Sequence, residues 1–81
     1  MDIAQQVREF IQENFYAANN PDLTNEASLL DLGIVDSTGI LEVVAFIEDE
    51  FEIVVEDNEM LPENLDSISN IVAFVNRKKQ A

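Results

Sequence analysis

Three stretches of this chain repeat apolar residues at helical spacing, and this periodicity limits the fold more than any other feature. In each stretch the apolar side chains gather on one face at about 100° per residue. The stretches are residues 2–16, 37–51 and 67–78. A short additional helix is predicted within 57–64, with Pro62 limiting its extent. The sequence therefore predicts an all-α protein, an antiparallel bundle of three longer helices and one short helix.

The segments between these helices carry their own signals. Ile53-Val54-Val55 has strand-forming residues but no evident partner strand, so we interpret it as an extended linker. Asp66 is predicted to cap the last helix, and Phe74 to lie at the edge of that helix's core stripe.

The connection at 17–35 is long for a compact domain, a property that is often functional. Asn19-Asn20-Pro21-Asp22 should break the first helix, and Gly33 suits a position with positive φ. Several apolar residues should anchor this connection on the core. They are Leu23, Leu29, Leu30, Leu32, Ile34 and Val35.

Length and charge narrow the function classes. The chain has 81 residues, 17 acidic and 4 basic, and a formal net charge of -13. Such a surface argues against binding to nucleic acid or to an anionic membrane, and it favours protein partners with basic patches. We expect one domain over 1–81 in the cytoplasm, since the sequence shows no signal-peptide pattern, no membrane-spanning stretch and no cysteine.

Asp36-Ser37 marks the start of the second helix and is the strongest candidate site. Free backbone N–H groups and the helix dipole favour an anion there, so Ser37 could carry a phosphate. Two simpler interpretations remain open at this point: Ser37 could serve only as a helix cap, and Asp36 could only complement the dipole. With no histidine in the chain, a serine–histidine nucleophile is excluded. The acidic residues fit no EF-hand frame, so no metal site is predicted.

The outward face of the second helix is acidic. Helical projection places Thr38, Glu42, Ala45, Asp49 and Glu52 opposite the apolar stripe, with Leu41 and Glu48 on one flank and Phe46 on the other. This face could be a solvated surface that keeps the protein soluble, or it could be a docking surface for partners.

Two segments resemble the acyl carrier protein family. The first is Leu32-Gly33-Ile34-Val35-Asp36-Ser37, followed by an apolar–acidic helix that ends in Glu48-Asp49-Glu50-Phe51. The second is Leu61-Pro62-Glu63-Asn64-Leu65-Asp66-Ser67-Ile68, which resembles the family's approach to its last helix. The resemblance spans essentially the whole chain in order, length and charge.

This resemblance implies that Ser37 receives 4′-phosphopantetheine from coenzyme A, whose thiol then carries acyl groups as thioesters. It implies that Asp36 positions the site, and that the protein is a monomeric carrier without catalytic residues. It also implies several partners: a phosphopantetheinyl transferase, acyl or aminoacyl ligases, acyltransferases and synthases with basic docking patches. The family's partner-docking face would be formed by Thr38, Leu41, Glu42, Ala45, Glu48 and Asp49.

Two positions depart from the family's pattern. Thr38 stands where many members have leucine, and Gly39 where a polar or acidic residue is common. With these departures, a carrier for a specialised pathway, or an aminoacyl carrier that resembles peptidyl and D-alanyl carriers, fits the sequence at least as well as a housekeeping fatty-acid carrier. An acidic protein-interaction module without a prosthetic group is the alternative from another class.

Overall fold

Four helices and one 3₁₀ turn form the fold in the computed structural model, which describes residues 2–15 and 21–80. The helices are α1 (Ile3–Asn14), α2 (Ser37–Phe51), α3 (Pro62–Leu65) and α4 (Ile68–Gln80), and the 3₁₀ turn is Asp57–Glu59. No strand is present in the described residues. The predicted all-α four-helix bundle is thus confirmed, as is the interpretation of 53–55 as an extended linker.

Helix α4 is the centre of the bundle, because it packs against α1, α2 and α3. Its buried side chains are Ile68, Ile71, Phe74 and Val75. The sequence placed Phe74 at the edge of this stripe, which is wrong, since Phe74 is only 2% exposed and Val72 is only partly buried. Because α4 packs against three helices, more of its surface is buried than the narrow stripe that periodicity predicts.

Helix α2 has the bounds that the sequence predicts. Asp36 caps its N-terminus, and Glu52 ends it in the left-handed conformation at φ 56°. Helix α1 begins one residue later than predicted, since the Asp2 side chain accepts a hydrogen bond from Gln5 N at 2.7 Å and acts as the N-cap. The predicted break at residues 19–20, like residues 17–18 of the long connection, lies outside the described residues.

Two predictions near α3 are wrong. Pro62 does not limit a helix but begins one, because proline lacks only an N–H that the first helical position leaves unused. Asp66 does not cap α4; Ser67 does, as its Oγ accepts a hydrogen bond from Asn70 N at 3.0 Å. The Asp66 carboxylate binds the long connection instead.

The core also includes residues from the connections. Leu23, Leu29 and Val35 are buried as expected, and Ile34 is partly buried. Leu30 and Leu32 are exposed at 37% and 36%, which contradicts their expected role as core anchors. None of the described helices has the length and apolarity needed to span a membrane.

Candidate functional site

Ser37 is the first residue of α2 and its side chain is exposed. The capping role belongs to Asp36, whose Oδ1 accepts a hydrogen bond from Gly39 N at 2.7 Å. The interpretation of Ser37 as a helix cap is therefore wrong. The Ser37 hydroxyl forms no hydrogen bond with the described residues, so it is free for chemistry at the positive end of the helix.

The loop before Asp36 is folded around one carbonyl group. Leu29 O accepts hydrogen bonds from Ile34 N at 3.1 Å and Val35 N at 3.2 Å. Gly33, with φ 71°, supplies the left-handed turn that the chain needs to return to Leu29. Because Val35 is only 1% exposed, the residue next to Asp36 is fixed in the core. The start of α2 is therefore held in place by both backbone bonds and burial.

Asp66 ties this loop to the start of α4. Its carboxylate accepts hydrogen bonds from Ser28 Oγ at 2.5 Å and Leu30 N at 2.9 Å. Its carbonyl oxygen accepts a third from Leu29 N at 2.7 Å. Sequence reasoning missed this role, because a contact across 38 residues leaves no local signal. We call this arrangement the Asp66 clasp.

Gly39 allows the C-terminal end of α1 to lie close to α2. A Cβ atom at this position would lie 2.8 Å from Phe15 Cε1 and 3.2 Å from Val35 Cγ1. Glycine lowers the helix propensity at this position, but it allows Phe15 to lie close to α2 beside Ser37. This explains in physical terms why the chain departs from the polar or acidic residue that is common at this position.

An apolar pocket of about 280 Å³ opens beside Ser37. Its lining residues besides Ser37 are Leu30, Ile40, Leu41, Met60, Leu61, Pro62 and Leu65. Leu41 and Leu61 are 57% and 41% exposed, so the pocket presents apolar surface next to the hydroxyl. The sequence did not predict a role for Met60 or Leu61; their only signal was an adjacent apolar pair immediately before Pro62.

The 3₁₀ turn that leads to Met60 and Leu61 is fixed to α4 by Glu59. Its Oε1 accepts hydrogen bonds from Glu56 N and from Lys78 Nζ, both at 2.9 Å. The bond from the Glu56 backbone, followed by that from Lys78, lowers the pKa of Glu59 below its ordinary value of 4.5. Glu59 therefore fixes the turn that directly precedes Met60 and Leu61, two lining residues of the pocket.

The predicted docking face of α2 is largely open to solvent. Its exposed members are Thr38, Leu41, Glu42, Ala45 and Asp49. Glu48 differs, since it is half-buried and its Oε2 accepts a hydrogen bond from Val55 N at 2.9 Å. Glu48 therefore fixes the linker after α2, whereas the carboxylates of Glu42 and Asp49 form no hydrogen bond or ion pair with the described residues.

A helical bundle of this size, with an exposed serine at the start of an acidic helix, is compatible with a small carrier domain. The family model described as "Phosphopantetheine attachment site" matches residues 5–75. The chain belongs to this family.

The relatives agree with that assignment. The chain is 30% identical over 69 residues to a probable acyl carrier protein, PigG, of Serratia sp., covering 85% of this chain and 79% of that protein. It is 24% identical over 78 residues to an acyl carrier protein of Desulforapulum autotrophicum, covering 96% and 99%. A solved chain from the crystal structure of an FAD-dependent dehydrogenase has a TM-score of 0.73 and 26% identity, with 85% of this chain and 97% of that chain covered.

These matches identify a carrier protein of the acyl carrier type with a covalently attached 4′-phosphopantetheine. Such proteins are not enzymes; phosphopantetheinyl transferases modify them, and biosynthetic enzymes act on their cargo. The match to a phosphopantetheine attachment site favours a carrier over an acidic interaction module that has no prosthetic group.

Proposed function

We propose that Ser37 is the attachment residue and that the chain shuttles acyl thioesters between enzymes of a fatty-acid, polyketide or related specialised pathway. The observation that carries this proposal is the exposed hydroxyl of Ser37 at the first position of α2, which forms no hydrogen bond within residues 2–15 and 21–80. A phosphodiester at this hydroxyl would be favoured by the helix dipole. The phosphopantetheine arm supplies the thiol that this chain lacks.

Asp36 is proposed as the residue that positions Ser37. Its carboxylate is held at 2.7 Å from Gly39 N, which fixes the first turn of α2 and the direction of the Ser37 side chain. Replacing Asp36 with alanine should slow modification and lower helix stability together. Replacing Asp36 with asparagine should retain the cap, because asparagine is an equally good N-cap residue. A slower modification of this variant would then show that the reaction requires the negative charge.

The acyl cargo is favoured over an aminoacyl cargo by two observations. Both relatives are named acyl carrier proteins, and the pocket beside Ser37 is walled mainly by apolar side chains. Loading tests this choice: the modified protein is offered fatty acids and amino acids with matching ligases, and thioesters are identified by intact mass. Exclusive loading with amino acids would make the chain an aminoacyl or peptidyl carrier.

The partners proposed here are a phosphopantetheinyl transferase and acyl ligases, acyltransferases or synthases with basic docking patches. The dehydrogenase structure adds an FAD-dependent enzyme to the candidates. Strong self-repulsion at a net charge of -13 supports a monomer, and the composition supports a cytoplasmic location.

Docking through α2 has a direct test in charge reversal. Glu42→Lys with Asp49→Lys should reduce kcat/KM for modification about tenfold, since both carboxylates are exposed and steer encounter with a basic enzyme. The matched control reverses Glu26 and Asp57, two exposed acids outside α2. Equal rates for the two double variants would contradict docking through this face.

A further inference from the structure

A second groove lies between α1 and α2, apart from the pocket beside Ser37. It has a volume of about 230 Å³, and its lining residues are Gln6, Glu9, Phe10, Glu13, Asn14, Phe46 and Glu50. Among the residues that the structure describes, it shares none of its lining with the pocket at Ser37. Phe46 follows Ser37 by nine positions, about two and a half helical turns, so the two residues lie on opposite sides of α2.

The floor of this groove is a pair of stacked aromatic rings. The ring centroids of Phe10 and Phe46 are 4.2 Å apart with an interplanar angle of 15°. Edge-to-face contacts extend the stack to Phe15 on one side and Phe51 on the other. Phe10 and Phe46 are each only half-buried and both line the groove, so the parts of their rings that do not face each other border it. We call this site the aromatic groove.

The rim of the aromatic groove is acidic. Glu9, Glu13 and Glu50 line it, and no lysine or arginine does so among the described residues. Glu13 and Glu50 are exposed and form no hydrogen bond or ion pair within residues 2–15 and 21–80. Arg8, the basic residue of α1, is occupied elsewhere, since it donates to Leu23 O and Asn25 Oδ1.

An aromatic floor beneath an acidic rim favours a guanidinium group as the ligand. A guanidinium group stacks on aromatic faces and binds carboxylates with its planar fork, whereas an ammonium is a compact, strongly hydrated charge. We propose that the aromatic groove is a second docking surface that receives an arginine side chain from a basic segment of a partner protein. A second copy of this chain is disfavoured as the occupant by the net charge of -13 on each copy.

The position of the aromatic groove allows a partner to bind there without covering Ser37. Because Phe46 and Ser37 lie on opposite sides of α2, a partner held at the aromatic groove leaves the Ser37 side accessible. The carrier can then stay bound to one protein while Ser37 is modified by another. The binding itself needs no prosthetic group, so a failure of this inference is distinguishable from a failure of the attachment at Ser37.

The test uses the full chain and a synthetic helical peptide with arginines at positions i and i+4 and leucines between them. The matched control peptide replaces both arginines with citrulline, which keeps the shape and removes the charge. Titration is followed by the ring resonances of Phe10 and Phe46 in NMR spectra. The arginine peptide should shift both rings saturably and bind at least about fivefold more tightly, or roughly 1 kcal/mol, than the citrulline peptide.

Variants then locate the binding. Glu13→Gln with Glu50→Gln should weaken the arginine peptide about fivefold, while the control Asp31→Asn with Glu63→Gln, which removes two exposed charges elsewhere, should change it less than about twofold. Saturating peptide should leave the rate of Ser37 modification unchanged. Equal binding of both peptides, equal weakening by both double variants, or competition with Ser37 modification would overturn the proposal. The glutamine variants keep the aromatic stack, so the test does not depend on a substitution in the core.

Discussion

Removing the Asp66 clasp should destabilise the loop that leads to Ser37. In Asp66→Ala the two side-chain hydrogen bonds from Ser28 Oγ and Leu30 N are lost, while the backbone bond from Leu29 N remains. Hydrogen bonds to charged groups contribute about 1.5–3 kcal/mol each, and partial exposure of this site favours values at or below the lower end. We therefore expect a loss of about 2 kcal/mol in the free energy of unfolding.

Asp66→Asn removes the negative charge of the clasp but keeps the size of the side chain. Asp66→Asn keeps one acceptor oxygen and should cost about 1 kcal/mol, roughly half the effect of alanine. For a domain of this size, about 1 kcal/mol shifts Tm by roughly 4–8 °C. Asp31→Asn is the control, because this exposed neighbouring carboxylate lies outside the clasp and should change stability by less than about 0.5 kcal/mol.

Two assays report on the clasp. Thermal unfolding followed by circular dichroism measures the loss of stability of the whole domain. Amide hydrogen exchange at Ile34 and Val35 measures the loss of stability of the loop itself. These two amides bond to Leu29 O, so both should exchange faster once Leu29 and Leu30 are no longer held by Asp66. A Tm within about 2 °C of wild type for Asp66→Ala, or unchanged exchange at both amides, would refute this reasoning.

Three further predictions concern the surroundings of the site. Gly39→Ala should lower stability by about 1 kcal/mol in thermal unfolding despite better helix propensity, because the new Cβ would lie 2.8 Å from Phe15 Cε1; a higher Tm would contradict the close approach. Glu48→Ala should cost about 1 kcal/mol and speed amide exchange at Val55, whereas Glu48→Gln should retain most of the bond; identical behaviour of the two variants would count against it. The pKa of Glu59 is lower in the folded state, so its stabilisation is present above its unfolded pKa and is lost as pH falls through the folded value. Glu59→Gln should therefore flatten the fall in the urea midpoint below pH 4.5, and an unchanged pH profile would oppose this assignment.

The sequence predicts best those features that depend on local periodicity. The apolar stripe and acidic face of α2 follow directly from residue spacing, and the bounds of that helix agree with the structure. The positive φ of Gly33 was likewise predictable, because glycine is the residue least hindered in that conformation. The two segments that resemble the acyl carrier protein family, 32–51 and 61–68, together with the length and charge of the chain, were also enough for the family to be recognised.

The predictions that failed depend on contacts between distant segments. Aspartate is a common helix-capping residue, but the Asp66 carboxylate accepts hydrogen bonds from Ser28 Oγ and Leu30 N instead. These two residues lie more than 30 positions earlier in the chain. Leu30 is apolar yet exposed, because the same clasp turns that part of the loop toward the pocket beside Ser37. Phe74 is buried because α4 is covered by three other helices, and a single-helix projection contains no information on those neighbours.

The central claim is that Ser37 carries the phosphopantetheine arm, and intact mass after modification tests it most directly. The purified apo protein is incubated with coenzyme A, Mg²⁺ and a broad-specificity phosphopantetheinyl transferase, beside Ser37→Ala and the control Ser69→Ala, which alters another serine in the first turn of a helix. We predict a gain of one phosphopantetheine in the wild type and in Ser69→Ala and none in Ser37→Ala. A gain in Ser37→Ala, or no gain in the wild type while a known carrier is modified in parallel, would contradict the account.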